Sequence, residues 1–112
     1  MVISLNIHHI YAGEKIMMVV ITYDVAVSSP SGAKRLRQIS KQCVNYGQRV
    51  QNSVFECVID NATLIMLRKK LLDIMDKDED SIRFYRLGDN WEVKVEHYGV
   101  KESYNPEDVI II

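Results

Sequence analysis

The sequence has few of the residues that interrupt regular structure or carry special chemistry. Its 112 residues include two prolines, five glycines, one tryptophan and two cysteines. Cys43 and Cys57 lack the spacing of metal-binding pairs, and in a reducing compartment such thiols are most simply small core residues. A disulfide and a nucleophilic thiol remain as alternatives, but no neighbouring residue favours either.

Long apolar runs are also missing, and this limits the class of protein. No run approaches the length that crosses a bilayer, and the N-terminus lacks the basic, apolar and small-residue regions of a signal peptide. We therefore expect a cytoplasmic protein with no membrane partner. A content of 47% hydrophobic and 26% charged residues is typical of one folded domain and argues against disorder.

An overall excess of charge is absent too, because the formal net charge is −1. The distribution of charge is uneven, since residues 30–49 contain five basic side chains and no acidic one. The five are Lys34, Arg35, Arg37, Lys41 and Arg49. Helical spacing aligns Lys34, Arg37 and Lys41 in one stripe. Such a stripe is typical of a phosphate-binding face, and a solvated helix surface is the plain alternative.

The order of apolar patterns predicts an α+β fold. A β-branched run over 16–23 indicates a central strand, followed by Asp24 and a loop rich in serine. Ser31 is expected to cap a helix that ends before Gly47. The remaining segments predict two short strands within 48–60 that meet near Asn52-Ser53, a helix over 61–76, and strands over 81–87 and 91–98.

The resulting order is a ferredoxin-like βαββαβ sandwich with an additional C-terminal strand. We expect an N-terminal extension over 1–16, a domain over 17–99 and a tail over 100–112. Two helices cover only one face of such a sheet. A second copy of the chain is the most direct cover for the other face, which predicts a face-to-face homodimer.

Three segments of the sequence carry a resemblance to a known family. The first is V-V-I-T-Y-D-V at 19–25. The second is K-R-L-R at 34–37 with Y-G-Q-R-V-Q-N-S-V-F-E-C at 46–57, and the third is S-I-R-F-Y-R-L-G at 81–88 with K-V-E-H-Y-G at 94–99. On these motifs the chain resembles the CRISPR-associated protein 2 family, most closely its subtype I-C members.

The resemblance covers residues 17–99 and implies both a fold and an activity. It implies a homodimer in which the last strand of each chain crosses to the partner's sheet. It also implies a metal-dependent endonuclease acting on RNA or double-stranded DNA. A further implied role is the dimeric adaptor of the CRISPR-associated protein 1 integrase during spacer acquisition.

The same resemblance implies roles for individual residues. Asp24 is the expected catalytic and metal-binding residue, with one Mg²⁺ or Mn²⁺ ion shared between two copies at the dimer two-fold axis. The expected nucleic-acid-binding residues are Arg35, Arg37, Arg49 and Arg83, and the expected supporting residues are Tyr23, Ser53 and Phe55. The plain alternatives are a turn role for Asp24 and Ser53, a core role for Phe55 and a surface role for each arginine.

Two other functions remain open at this point. The protein could be a purely structural DNA-binding adaptor without nuclease activity, in which the apolar tail 109–112 adds a strand to a partner. A ferredoxin-like, toxin-related dimer is the second alternative, and the specific segment over 46–57 argues against it.

Overall fold

A computed structural model describes residues 16–87 and 93–100. Its elements are β1 (Ile16–Asp24), α1 (Gly32–Tyr46), β2 (Gly47–Gln51), β3 (Val54–Asp60), α2 (Asn61–Ile74), β4 (Ser81–Leu87) and β5 (Val93–Gly99). Residues 1–15, 88–92 and 101–112, which include most of the expected extension and tail, lie outside the described residues. Neither helix in the described ranges is long and apolar enough to cross a membrane.

The predicted α+β architecture is confirmed. The strands form one antiparallel sheet in the order β2-β3-β1-β4-β5. The central position of β1 follows from its sequence, because a strand that is β-branched and apolar on both sides belongs inside a sheet. The first four strands have the ferredoxin-like order, and β5 extends the sheet beyond β4.

The position of β5 is defined within its own chain. It pairs with β4 from Ser81↔Gly99 to Leu87↔Val93. The expected crossing of the last strand to a partner's sheet stays a prediction. Glu96 of β5 also accepts a hydrogen bond from Arg68 Nε of α2 at 3.1 Å, which ties the strand to its own helix layer.

The core lies between the sheet and the two helices. Alternate residues of β1, β3 and β4 face the helices and are buried, as period-two strands require. The fully buried side chains include Ile21, Phe55, Phe84, Ile39, Leu64, Leu67 and Leu71. The three buried leucines of α2 recur at helical spacing and form its inward face.

Asp60 caps α2, because its side chain accepts a hydrogen bond from the Thr63 N–H at 2.8 Å. The start of α1 and the end of α2 differ from the sequence prediction. Ser31 precedes α1 as predicted, but it makes no capping hydrogen bond and has a left-handed φ of 63°. The α2 helix ends at Ile74 rather than at residue 76, because Met75 adopts an extended conformation.

The second face of the sheet is not covered by either helix, and we call it the open face. Strand register assigns to it the residues that alternate with the core. Its middle carries the half-buried side chains of Met18, Val20, Val58, Tyr85 and Val95. Asp24 belongs to the same face, because it lies two and four residues beyond Thr22 and Val20 on β1.

Candidate functional site

Asp24 ends the central strand at the rim of the open face. It lies opposite Ser81 in the register of β1 and β4, and it is exposed. Within residues 16–87 and 93–100 its side chain forms no hydrogen bond or ion pair. The carboxylate is therefore free to bind a ligand that approaches from the open face.

One chain does not provide a complete metal site among the described residues. No group of three or more His, Cys, Asp or Glu side chains is close enough there to hold a metal ion. Glu56 shares the open face with Asp24 but lies opposite Val20, four residues back along β1. At the rise of a β-strand this separation is about 13 Å, too far for one shared ion.

The chemistry of Asp24 nevertheless fits a hard divalent cation. Mg²⁺ and Mn²⁺ prefer oxygen ligands, and Mg²⁺ commonly takes one or two carboxylates with water in the remaining positions. An exposed carboxylate without a protein partner in the described part of the chain can serve as such a ligand.

A buried ion pair lies directly behind the Asp24 strand end. Asp80 is completely buried and accepts hydrogen bonds from Arg35 Nε at 2.8 Å and Arg35 Nη2 at 3.2 Å. The backbone N–H groups of Ala26 and Asp76 donate to the same carboxylate, each at 3.0 Å. Burial alone would raise the pKa of Asp80, but these hydrogen bonds outweigh it and hold the pKa below its ordinary value.

The ion pair changes the interpretation of Arg35. Besides Asp80, its guanidinium donates to the Pro30 carbonyl and the Ser29 hydroxyl, each at 2.9 Å. Its side chain is only 11% exposed. The bonds to Asp80 raise the pKa of Arg35, so the charge is permanent. This placement argues against Arg35 as a phosphate ligand, because its donors are already used within the protein.

Arg37 and Arg49 instead line an open groove between α1 and the turn that joins β2 to β3. The groove has a volume of about 540 Å³ and is lined by Tyr23, Leu36, Arg37, Ser40, Lys41, Arg49, Asn52 and Ser53. We call it the basic groove. Arg37 and Lys41 are exposed on the helix, one turn apart. Two of the three residues of the predicted stripe, Arg37 and Lys41, therefore line one wall of this groove.

Arg49 forms the opposite wall and is held in a defined orientation. Its guanidinium lies over the Phe55 ring, 4.9 Å from the ring centroid. Nη1 donates to the Asn52 carbonyl at 2.7 Å, and Nη2 donates to the Ser40 hydroxyl. Arg49 is still exposed, so part of its charge faces the groove.

The three expected supporting residues lie on the helix side of the sheet or at its edge, not beside the Asp24 carboxylate. Tyr23 is buried and stacks on Phe55 with ring centroids 6.2 Å apart. Burial raises the pKa of Tyr23. Phe55 is fully buried, so it has the core role rather than an interface role. The Ser53 carbonyl accepts the Tyr23 N–H at 3.2 Å and joins the turn to the end of β1.

Arg83 is the expected arginine that lies on the open face. It is opposite Thr22 on one side and His97 on the other. Its Nε donates to His97 Nδ1 at 2.9 Å, so His97 Nε2 carries the proton and donates to the Val100 carbonyl at 2.7 Å. Arg83 is thus already engaged by its neighbours on the strand next to Asp24.

The two cysteines have the core role that the composition indicated. Both are buried and free. Burial raises the pKa of Cys43 to about 12 and that of Cys57 to about 11. Burial of both thiols and their raised pKa values argue against a thiolate nucleophile at either position.

Comparison with known proteins gives consistent matches. The family model described as CRISPR associated protein Cas2 matches residues 17–95. A CRISPR-associated endonuclease Cas2 of Halalkalibacterium halodurans is 55% identical over 95 residues, which cover 85% of this chain and 99% of that protein. A CRISPR-associated endoribonuclease Cas2 of Nitratidesulfovibrio vulgaris is 53% identical over 100 residues, which cover 89% and 98%.

A solved structure agrees with these matches. The crystal structure of Streptococcus pyogenes Cas2 at pH 6.5 is similar with a TM-score of 0.61 and 56% sequence identity, covering 67% of this chain and 90% of that one. The described fold and the sequence motifs therefore lead to the same group of proteins.

The buried ion pair predicts a pH-dependent stability. Because the folded pKa of Asp80 is lowered, its stabilisation is complete above the unfolded pKa of about 4 and is lost as the pH falls through the lower folded value. Replacing Asp80 by Asn should lower the free energy of unfolding at neutral pH by about 3 kcal/mol. Urea denaturation should show that the difference in the free energy of unfolding between wild type and Asp80→Asn becomes smaller below about pH 4.

The control for this measurement is Glu79→Gln, which removes an exposed acid from the adjacent position. It should change the free energy of unfolding by less than about 0.5 kcal/mol. If the free energies of unfolding of wild type and Asp80→Asn differed by the same amount at acidic and at neutral pH, the assigned ion pair would be contradicted.

Proposed function

Because the chain belongs to the CRISPR-associated protein Cas2 family, we propose that it is a metal-dependent endonuclease that acts on RNA or double-stranded DNA as a homodimer. The observation that carries the proposal is the exposed Asp24 carboxylate at the end of β1, without a partner in the described part of the chain. Relatives named endonuclease or endoribonuclease support the reaction class. The subtype I-C affiliation belongs to the proposal as well and rests on the three sequence segments that carry the family resemblance.

The open face supports the homodimer. Its apolar middle, around Met18, Val20 and Tyr85, is not covered by either helix, and apolar faces of this kind favour association. A two-fold axis pairs each residue of one face with its equivalent on the other. An axis that passes near the end of β1 would bring the Asp24 carboxylates of both copies together.

The two Asp24 carboxylates would hold one Mg²⁺ or Mn²⁺ ion between them. Two carboxylates at close range repel each other, and a shared cation relieves this repulsion. When bound, the ion supplies charge stabilisation to a phosphate and lowers the pKa of a water molecule. The carboxylates themselves orient the ion and keep it at the dimer seam.

The basic groove supports binding of a nucleic-acid backbone. Arg37, Lys41 and Arg49 combine positive charge with the hydroxyl and amide groups of Ser40 and Asn52, all of which are suited to phosphate oxygens. The groove lies on the helix side of the sheet, whereas Asp24 faces the open side. Phosphates bound in the groove would therefore be distinct from the phosphate at Asp24 and would serve to position the substrate.

The same separation favours a second function. Because the groove does not include Asp24, backbone binding needs neither the carboxylate nor the metal. The dimer would then serve as an adaptor that holds DNA and bridges copies of the CRISPR-associated protein 1 integrase during spacer acquisition. This role requires an intact groove and an intact dimer, but no cleavage.

The Asp24→Asn substitution tests the nuclease proposal. It keeps the size of the side chain but removes the charge that a divalent cation requires, so cleavage should fall at least about a hundredfold. Cleavage of end-labelled RNA and duplex DNA with Mg²⁺ or Mn²⁺ measures the effect. Asp73→Asn, an exposed acid on α2, is the control and should retain full activity. Equal cleavage by wild type and Asp24→Asn would exclude Asp24 as the catalytic residue.

The double substitution Arg37→Ala and Arg49→Ala tests the groove. Removing two phosphate contacts should weaken duplex binding and reduce the salt slope of log K by about two. Fluorescence anisotropy at several salt concentrations provides both quantities. Lys69→Ala removes one exposed charge on α2, outside the groove, and should leave the slope nearly unchanged. The same slope for the double variant and wild type would rule out the groove as a phosphate-binding site.

A further inference from the structure

We propose that Asp80 is a positioning residue that fixes the orientation of Asp24 for the ion shared between two copies. This inference rests on the proposed function and adds a residue that does not touch the ion. Asp80 is buried and lies behind the strand end, so it acts through the backbone. Its partner in this role is Arg35.

The first support is the set of segments that meet at one carboxylate. Asp80 accepts four hydrogen bonds, one from Ala26 N–H, two from Arg35 and one from Asp76 N–H. These donors belong to the loop after β1, to helix α1 and to the turn after α2. A fully buried charge with this many donors is held in one position, because any movement would leave it partly unsatisfied.

The second support is the position of Asp24 relative to these bonds. Ala26 follows Asp24 by two residues, and its N–H is bound to Asp80 Oδ1 at 3.0 Å. Ser81 follows Asp80 directly and is the register partner of Asp24 across β1 and β4. Asp80 therefore restrains the backbone on the C-terminal side of Asp24 and the strand residue opposite it.

The third support is the packing around the loop between β1 and α1. The Ala26 carbonyl accepts both the N–H and the hydroxyl of Ser29, at 3.1 and 2.8 Å. The Arg35 guanidinium closes this loop from the other side through Ser29 and Pro30. A Cβ atom at Gly32 would meet the Ala26 backbone, so the loop has no room to shift toward α1.

The restraint has a specific consequence in a two-fold site. A displacement of Asp24 in one copy is repeated in the other, so an error in the distance between the carboxylates is doubled. A divalent ion tolerates little variation in ligand distance. Residues that orient metal ligands without touching the metal typically contribute about tenfold to a hundredfold in affinity.

The test measures Mn²⁺ binding to the full-length dimer by electron paramagnetic resonance, together with backbone amide exchange at Val25 and Ala26. Asp80→Asn should weaken Mn²⁺ affinity about tenfold and speed exchange at both amides. Arg35→Lys keeps the charge but loses the paired donors, so its effect should be smaller and in the same direction. Arg35→Lys also preserves the test if Asp80→Asn does not fold.

Asp60→Asn is the matched control. Asp60 also ends a strand beside β1 and also binds a backbone N–H, but it pairs with Ile16 at the opposite end of β1 from Asp24. The Asp60→Asn variant should bind Mn²⁺ with wild-type affinity. This should hold even if its melting temperature is as low as that of Arg35→Lys.

The outcomes separate this inference from the proposed function. Wild-type protein that neither binds Mn²⁺ nor cleaves would overturn the proposed function and this inference with it. An active wild type, combined with unchanged Mn²⁺ affinity in both Asp80→Asn and Arg35→Lys, would overturn only the positioning role. Equal loss of affinity in Asp60→Asn would also overturn it, because the effect would then follow stability alone.

Discussion

The alternation of side chains along β1 divides the chemistry of this protein between two faces of one sheet. Tyr23 points into the core beneath the helices, and Asp24, the next residue, points to the open face. A shift of one residue in the register of β1 would bury Asp24 and expose Tyr23. Pairing with both β3 and β4 fixes this register, so two neighbouring strands hold the candidate catalytic residue in place.

This division shows how one small domain could combine the two proposed tasks. The basic groove lies on the helix side and is formed by residues of one chain. In the proposed function, the Asp24 site lies on the open side and is half of a site in one chain. Backbone binding would then need no dimer, whereas the proposed metal-dependent cleavage would. The buried Asp80 links the two sides, since Arg35 of α1 and Ala26 after β1 bind the same carboxylate.

Much of the fold could be predicted from the sequence, because the apolar periodicities are strong. The β-branched run of β1 and the leucines of α2 have no other reasonable placement. The strand partner of β5 could not be predicted, because an alternating strand fits either its own sheet or a partner's equally well. The capping error at Ser31 has a similar cause, since a serine before a helix has several local hydrogen-bonding choices.

The candidate site was less predictable than the fold. Asp24 could be found from its place at the end of a buried strand, supported by the family motifs. Both Arg35 and Arg37 were expected to bind nucleic acid, yet Arg35 lies in a buried ion pair and Arg37 lines the groove. Asp80 lies in the acidic run 76–80, and only the tertiary structure distinguishes it from its exposed neighbours. Sequence spacing gives the face of a helix but not the partner that the face will meet.

The central claim is that each active site needs Asp24 from two copies, and mixed dimers test it most directly. Wild type and Asp24→Asn are unfolded together, refolded at different ratios and assayed for cleavage at constant total protein. If both carboxylates are required, activity follows the square of the wild-type fraction and falls to about 25% in an equal mixture of exchanging dimers. Activity of about 50% in that mixture, proportional to the wild-type fraction, would contradict the shared site.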